Sequence, residues 1–409
     1  TTREAAADAA QMVVVHVTPD ACVTDPWQAR DNTCLVHPDA GTNIALDLRF
    51  ARPLRGDLFD GCEVVIETEI VNQRLAAAGL EPRTVIAAWD GEILHLQAGS
   101  QAPHLWRDDL AKLLNLDPEQ VIVQVHDIGG AFGSRALANP EDVLISWAAR
   151  KLNGTVRWQE PRSESFTVFG HGRAQAARIR LGGGKDGNIT AYEVDAVQDC
   201  GAYPKIGAVL PFWTRSALTG PYGIRKARFT SASVTTHTAP VVAYRGAGQP
   251  EAVYMLEVAL DEYARHIGID PAEVRRINFI PVDQMPYTTV ARVTLDSGNF
   301  HEALTRALAA VDYDEVRRQQ QDAAAIGSTS LLGVGLASFV EVTGPDVRPE
   351  WAGIEVDAGG SVTVRTGTSP SGQGHATVWA TLIADKLGIS ADAVRLDRAD
   401  TSLMPMGGG

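Results

Sequence analysis

The 409-residue sequence predicts an α+β chain in which helices and strands meet at glycine-containing turns. Three observations lead there. Residues 63–71, EVVIETEIV, alternate apolar and polar as a half-buried strand does. A β-rich run, ARFTSASVTTH followed by VVAY, leads into a helix opened by Pro250. One order of features (glutamine, helix, loop, strand, glycines) occurs twice, in residues 99–130 and again in residues 371–409.

Taken in chain order, Thr2 to Gln11 reads as a helix and Met12 to Val17 as the strand after it, the tail of a small α/β unit reaching to about residue 30. A first large domain is expected over 31–325 and the opening of a second over 326–409, starting near LLGVGLASFVEVTG. His104 to Leu114 has helical apolar spacing at Leu105, Leu110, Leu113 and Leu114, and Val121 to Ile128 is a β-branched strand feeding Gly129 and Gly130. Asn139-Pro140 caps another helix, with an expected buried stripe at Leu144, Trp147, Ala148 and Leu152 and a stop at Asn153-Gly154. Arg245-Gly246-Ala247-Gly248 forms a turn before the helix that runs from Pro250 to about His266. The C-terminal copy has Gln373, a helix with Val378, Leu382, Ile383 and Leu387 on one face, a short strand VRL, and Gly407 to Gly409.

A chain that is 45% hydrophobic and 21% charged has the composition of a soluble globular protein, and its length suggests two or three domains. The net charge of −14 argues against nucleic acid or an anionic membrane as partner. Cys22, Cys34, Cys62 and Cys200 are scattered, so a zinc or iron–sulfur site from this chain alone is not expected and reduced cytoplasmic thiols are. No signal peptide or membrane-length apolar run is visible. Both ends look cut, because the chain begins inside a helical pattern without Met and stops on MGGG, so a fragment of a longer subunit, or one of two split chains, is the expectation.

Three glycine turns at helix starts point to an extended, anionic, oxygen-rich ligand, since glycine lets a ligand approach main-chain N–H groups and a helix N-terminus adds free donors. The spacing fits neither a dinucleotide fingerprint nor a P-loop, and H-E-x-x-H and G-x-S-x-G are absent.

The ordered set GSQ (Gly99–Gln101), GGAFGSR (129–135), AYRGAGQPEA (243–252) and GQGH (372–375) resembles the molybdenum-cofactor subunit of the xanthine oxidase family. That family includes aldehyde oxidoreductases, aerobic carbon monoxide dehydrogenases and bacterial N-heterocycle hydroxylases. The resemblance implies the tail of a hammerhead-like domain followed by two elongated mixed α/β cofactor-binding domains, the second incomplete. It implies molybdenum held by molybdopterin, in the cytosine dinucleotide form, through dithiolene sulfurs and not through side chains. It also implies 2Fe-2S and FAD groups on partner subunits and a dimer of multi-subunit units.

By motif match, Gln101 would hydrogen-bond an oxygen on the metal. Gly129, Gly130, Ala131, Phe132 and Gly133 would present backbone to the cofactor. Arg245 and Gly246 would line the site, with Gln101, Phe132 and Arg245 nearest the chemistry. Gln373, Gly374 and His375 would hold the pterin or its diphosphate. Several departures narrow the reaction. Ala136 follows Arg135 where purine oxidisers place a Glu, Gly246 stands where carbon monoxide dehydrogenases carry a copper-binding Cys, and Ala247 replaces a stacking aromatic. Oxidation of an aldehyde or hydroxylation of an N-heteroaromatic is therefore favoured over purine or carbon monoxide oxidation. The family's general base, a Glu near the C-terminus, has no counterpart here, and Glu251 and Glu341 read as structural. The rival is a non-catalytic cofactor-binding or assembly protein. A flavin or nicotinamide dehydrogenase lacks its fingerprints.

Overall fold

The computed structural model describes residues 2–51, 56–327, 329–342, 349–397 and 399–407. The glycines expected at 408 and 409, and the end of the run SFVEVTG, lie outside them. The strands of three or more residues are β1 (Ile44–Ala51), β2 (Val64–Asn72), β3 (Thr84–Trp89), β4 (Leu94–Ala98), β5 (Val121–Gln124), β6 (Thr155–Gln159), β7 (Gln175–Gly183), β8 (Ile189–Asp199), β9 (Lys226–Val234), β10 (Ala352–Val356), β11 (Val362–Thr366) and β12 (Val394–Leu396). The helices used below are α1 (Arg3–Gln11), α2 (Pro103–Leu114), α3 (Pro140–Leu152), α4 (Gln249–Ile267) and α5 (His375–Leu387).

A mixed sheet in the order β1-β9-β8-β7-β2 carries the larger core. Strand residues alternate between faces, so Ile179, Val194 and Phe229 turn inward against Met255, Leu260 and Tyr263 of α4. The other face places Glu67, Arg180, Glu193 and Arg228 side by side in register and ion-paired. Helix α4 is fixed by the fully buried Arg275, which holds Glu257 at 2.8 Å and Asp261 at 2.8 Å.

The second sheet, β5-β4-β3-β6, packs against α2 and α3. Here β4, α2 and the parallel β5 repeat in outline as β11, α5 and the parallel β12, each preceded by an antiparallel neighbour, β3 or β10. Both helices stop on a left-handed residue, Asn115 and Gly388, and both are followed by a single 3-10 turn. The doubled motif is therefore a doubled fold unit. The two units are joined: Val125 N donates to Ala399 O at 2.9 Å, Thr401 N donates to Val123 O at 3.1 Å, and the His104 ring nitrogen Nε2 meets Met404 O at 2.7 Å.

Several local expectations fail for identifiable reasons. Met12 to Val17 forms no strand; Met12, Val13, Val14, Val15 and Val17 are all exposed, and an extended segment needs a neighbour that no described residue supplies. Strand β5 ends at Gln124, short of the expected Ile128, where the outer edge is taken by residues 399–401. Helix α3 is rotated from the expected face: Leu144, Trp147 and Leu152 are exposed, Ala148 is half-buried, and Asp142, Ser146 and Ala149 are buried instead. Small residues let α3 lie close to the sheet, and the Asp142 carboxylate accepts the Asn139 N–H at 2.8 Å within the capping box. Leu113 is exposed while His104 and Trp106 turn inward, the α5 residues Val378, Leu382 and Leu387 are exposed, and VVAY is a loop whose Val241 makes one bridge to His171. The helices over 3–11 and 249–267 and the alternation of β2 match expectation.

Among the described residues no helix is long and apolar enough to cross a membrane, and no three His, Cys, Asp or Glu side chains gather as metal ligands. All four cysteines are free.

Candidate functional site

The chain leaving β5 reaches Gly129 against Glu81. Gly129 N donates to Glu81 Oε2 at 2.7 Å, Glu81 N donates to Gly129 O at 3.1 Å, and a Cβ on Gly129 would collide with the Glu81 side chain. The turn then closes on Ala131, whose carbonyl accepts Ser134 N at 3.0 Å and Ser134 Oγ at 2.7 Å. Phe132 sits at φ 54 with its ring half in solvent, a left-handed conformation rare for an aromatic residue. Gly133 has φ 98, and a Cβ there would lie 2.9 Å from Ala243 O, so only glycine lets the two loops touch.

Gln101 fastens this turn. Its Oε1 accepts Gly133 N at 2.9 Å and Arg135 N at 3.3 Å, while its main-chain N donates to Arg135 O at 3.1 Å. Two N–H donors facing one side-chain atom require that atom to be the oxygen. The Gln101 amide NH2 is left without a partner among the described residues, as a donor beside the turn. Arg135 is buried, and its guanidinium donates to Glu81 O.

Arg245 is brought to the same place through its main chain. Arg245 N donates to Phe132 O at 2.9 Å, and Arg173 donates to the carbonyls of Tyr244 at 2.9 Å and Arg245 at 2.7 Å. The backbone is thus gripped from both sides while the Arg245 guanidinium stays exposed. Gly246, Ala247 and Gly248 all have positive φ, and Gly248 N donates to Glu251 Oε2 at 2.8 Å. Glu251 is fully buried, its Oε1 has no partner among the described residues, and burial raises its pKa against the opposing pull of Arg173 3.8 Å away. That is the structural role expected of it.

Gln101, residues 129–133, Arg245 and Gly246 therefore form one cluster. Gln373, Gly374 and His375 form another, at the start of α5, and no hydrogen bond joins the two among the described residues. Gln373 Oε1 accepts Ser371 N at 2.5 Å, a local bond that does not copy the Gln101 clamp. Ser369 Oγ, His375 Nδ1 and Trp379 Nε1 are buried without hydrogen-bond partners among the described residues, and burial lowers the His375 pKa. Buried polar atoms left open at a helix N-terminus suit a polar, anionic ligand.

Sequence reasoning missed Arg173 and Glu81, which show no local signal, and it missed a cavity of about 630 Å³ beside Arg245. One wall is the segment 335–341, laid along α4 by Leu336 O accepting from Arg275 Nη2 at 2.9 Å, Ser338 N donating to Glu257 Oε2 at 2.9 Å, and Val342 N donating to Gln249 Oε1 at 2.9 Å. Glu341 lines that cavity and is exposed, in contrast to the structural role expected of it.

Two family models, each described as a molybdopterin cofactor-binding domain, match residues 36–279 and 306–409. The chain is similar to the nicotine 6-hydroxylase large subunit of Paenarthrobacter nicotinovorans, 30% identical over 100% of this chain and 52% of that protein. It is similar to the carbon monoxide dehydrogenase large chain of Hydrogenophaga pseudoflava, 33% identical over 86% of this chain and 46% of that one. Its fold matches the crystal structure of quinoline 2-oxidoreductase from Pseudomonas putida 86 with a TM-score of 0.90, at 28% identity, over 98% of this chain and 53% of that chain. The chain spans about half the length of the curated relatives it matches.

Proposed function

The chain belongs to the molybdopterin cofactor-binding family, and from that membership we propose that it is the cofactor-holding part of a molybdenum hydroxylase large subunit. Its reaction is the oxidation of an aldehyde or the hydroxylation of an N-heteroaromatic carbon, with water as oxygen source. The observation that carries this reading is the Gln101 clamp, which spends the amide oxygen on Gly133 and Arg135 and leaves the NH2 as a donor next to Phe132 and Arg245.

The residues fit the cofactor. The turn at 129–133 offers backbone at close range, Gln101 offers an N–H to an oxygen on the metal, and the open polar atoms of Ser369, His375 and Trp379 offer partners to the pterin or its diphosphate. By family habit the metal would be held by the pterin's sulfurs and not by side chains of this chain. When bound, the group would supply oxygen transfer to carbon and accept the two electrons. The chain's own contribution is to orient. Gln101 holds the turn and donates a hydrogen bond, Phe132 shields one side of the site from water, and Arg245 faces the substrate oxygen or ring nitrogen with fixed positive charge.

The rest of the reading follows family habit: the cytosine dinucleotide form of the pterin, 2Fe-2S and FAD on partner subunits, a dimer of such units in the cytoplasm, and a general base outside this chain. Residues 1–30 would close a small α/β domain, 31–325 form the first cofactor-binding domain and 326–409 open the second. Gly246 offers no thiol for a copper ion, which argues against carbon monoxide oxidation.

The test is elemental analysis of the complex purified through this chain from a host that makes the cofactor, followed by turnover of aldehydes and N-heterocycles with an artificial electron acceptor. Molybdenum in proportion to the chain, with turnover, is the expected result. An intact complex without molybdenum would overturn it in favour of a binding or assembly role.

A further inference from the structure

The cavity beside Arg245 carries several charged side chains, and most are already committed. Arg173 is spent on the carbonyls of Tyr244 and Arg245. Glu257 is neutralised by Arg275 at 2.8 Å and also accepts the Tyr222 hydroxyl at 2.6 Å, and Asp261 pairs with the same arginine. The side chains of Arg245 and Glu341 remain: neither the guanidinium nor the carboxylate has a hydrogen bond or ion pair among the described residues, nor do they pair with each other. Glu341 approaches the turn closely, with its Oε1 3.4 Å from where a Cβ on Gly246 would stand.

The placement of Glu341 follows from the wall it belongs to. Backbone anchors at Leu336, Ser338 and Val342 hold the segment against α4, and Phe339 and Glu341 both line the cavity. Tyr244 and Tyr254 line the same space. Among the described residues the cavity thus combines aromatic walls with one free cation and one free anion.

We propose that Glu341 is a specificity determinant that selects aromatic substrates bearing a protonated amine. The ammonium is held by the Glu341 carboxylate, the ring lies among Tyr244, Tyr254 and Phe339, and the ring acceptor faces Arg245. An ammonium in such a place also gains from the faces of the neighbouring rings. This assignment rests on the hydroxylase reading above, and it adds a charge requirement that the reading does not contain.

The test uses the full-length holoenzyme complex, as wild type, Glu341→Gln and Glu341→Asp, with molybdenum content measured for each. The probes are 3-(aminomethyl)pyridine, cationic at neutral pH, and 3-ethylpyridine, its neutral isostere. Steady-state turnover is read with an artificial acceptor, and affinity is read separately by calorimetry with the acceptor withheld. The wild type should favour the cationic probe by about tenfold in kcat/KM. Glu341→Gln should abolish that preference through KM, leave 3-ethylpyridine unchanged, and be partly restored by Glu341→Asp.

Equal handling of the two probes by the wild type, or equal losses for both in Glu341→Gln, overturns the proposal. Binding of the cationic probe that depends on Glu341, without turnover in a molybdenum-loaded enzyme, upholds the anchor and sinks the hydroxylase reading instead. Neither binding nor turnover overturns both.

Discussion

The side-chain oxygen of Gln101 accepts the main-chain N–H of Gly133 at 2.9 Å, and through it the start of α2 holds the turn that carries Phe132. The carbonyl and the NH2 of one amide therefore have separable duties, which two substitutions distinguish. Gln101→Ala removes both, leaves two part-buried N–H groups unsatisfied, and should destabilise by about 1–2 kcal/mol. Gln101→Glu keeps the acceptor and removes the donor, so its urea midpoint should stay near the parent. Turnover should fall in both, more steeply than molybdenum content. Total loss of molybdenum from Gln101→Glu would assign the residue to cofactor retention instead.

Gly133→Ala brings a Cβ to 2.9 Å from Ala243 O at a residue with φ 98. The expected cost is about 1–3 kcal/mol, read as a lower denaturation midpoint at unchanged slope. Gly154→Ala, where the nearest atom to the added Cβ lies 3.9 Å away, serves as control and should change stability by no more than about 0.5 kcal/mol.

Arg173→Lys tests the grip on Arg245. A lysine cannot donate to the Tyr244 and Arg245 carbonyls with the same fork and still stand near Glu251, so a loss of about 1–3 kcal/mol is expected. Part of that loss belongs to the buried Glu251 carboxylate. The double variant Arg173→Lys with Glu251→Gln should recover some of it, and strictly additive losses in the two-residue cycle would refute the coupling.

Asp142 gives stability a pH dependence of defined sign. Burial raises its pKa to about 6, against the capping hydrogen bond from Asn139. The folded state therefore keeps this proton where the unfolded chain has lost it, and stability falls as pH rises from about 4 to about 6, then levels off. The span is on the order of 3 kcal/mol for a group this buried. Asp142→Asn, which can still accept the Asn139 N–H, should remove that slope and be the more stable protein at pH 7.5. Midpoints of both proteins at pH 4.5 and 7.5 decide it, and an unchanged slope would show that the charge of Asp142 is not the cause.

Where residues answer to local chemistry, the sequence was readable. Pro250 and the glycines before it announced α4, the alternation of 63–71 announced β2, and the doubled order of glutamine, helix and strand announced two related units. Where tertiary partners decide, it was not. The burial of Asp142 and Ser146 depends on how closely α3 lies on its sheet, and apolar spacing alone pointed to Leu144 and Trp147. Arg173 reaches the site from a segment distant in sequence, and nothing in its neighbours marks it. Glu341 read as structural because its freedom appears only once its neighbours are found to be paired elsewhere.

The hydrogen bond from Val123 N to Thr401 Oγ1 spans 278 residues of chain. During synthesis the first unit leaves the ribosome with the outer edge of β5 bare, and that edge stays bare until residues 399–401 follow much later. Closing so long a loop costs only modestly more entropy than a short one, but it places the closure late. In the interval the open edge can pair with the same edge of another nascent chain, the hazard natural sheets guard against. Shortened chains ending before residue 399 should therefore aggregate while chains that include it should not, which makes the pairing of β5 the step that commits a newly made molecule to its own sheet and not to the bare edge of another chain.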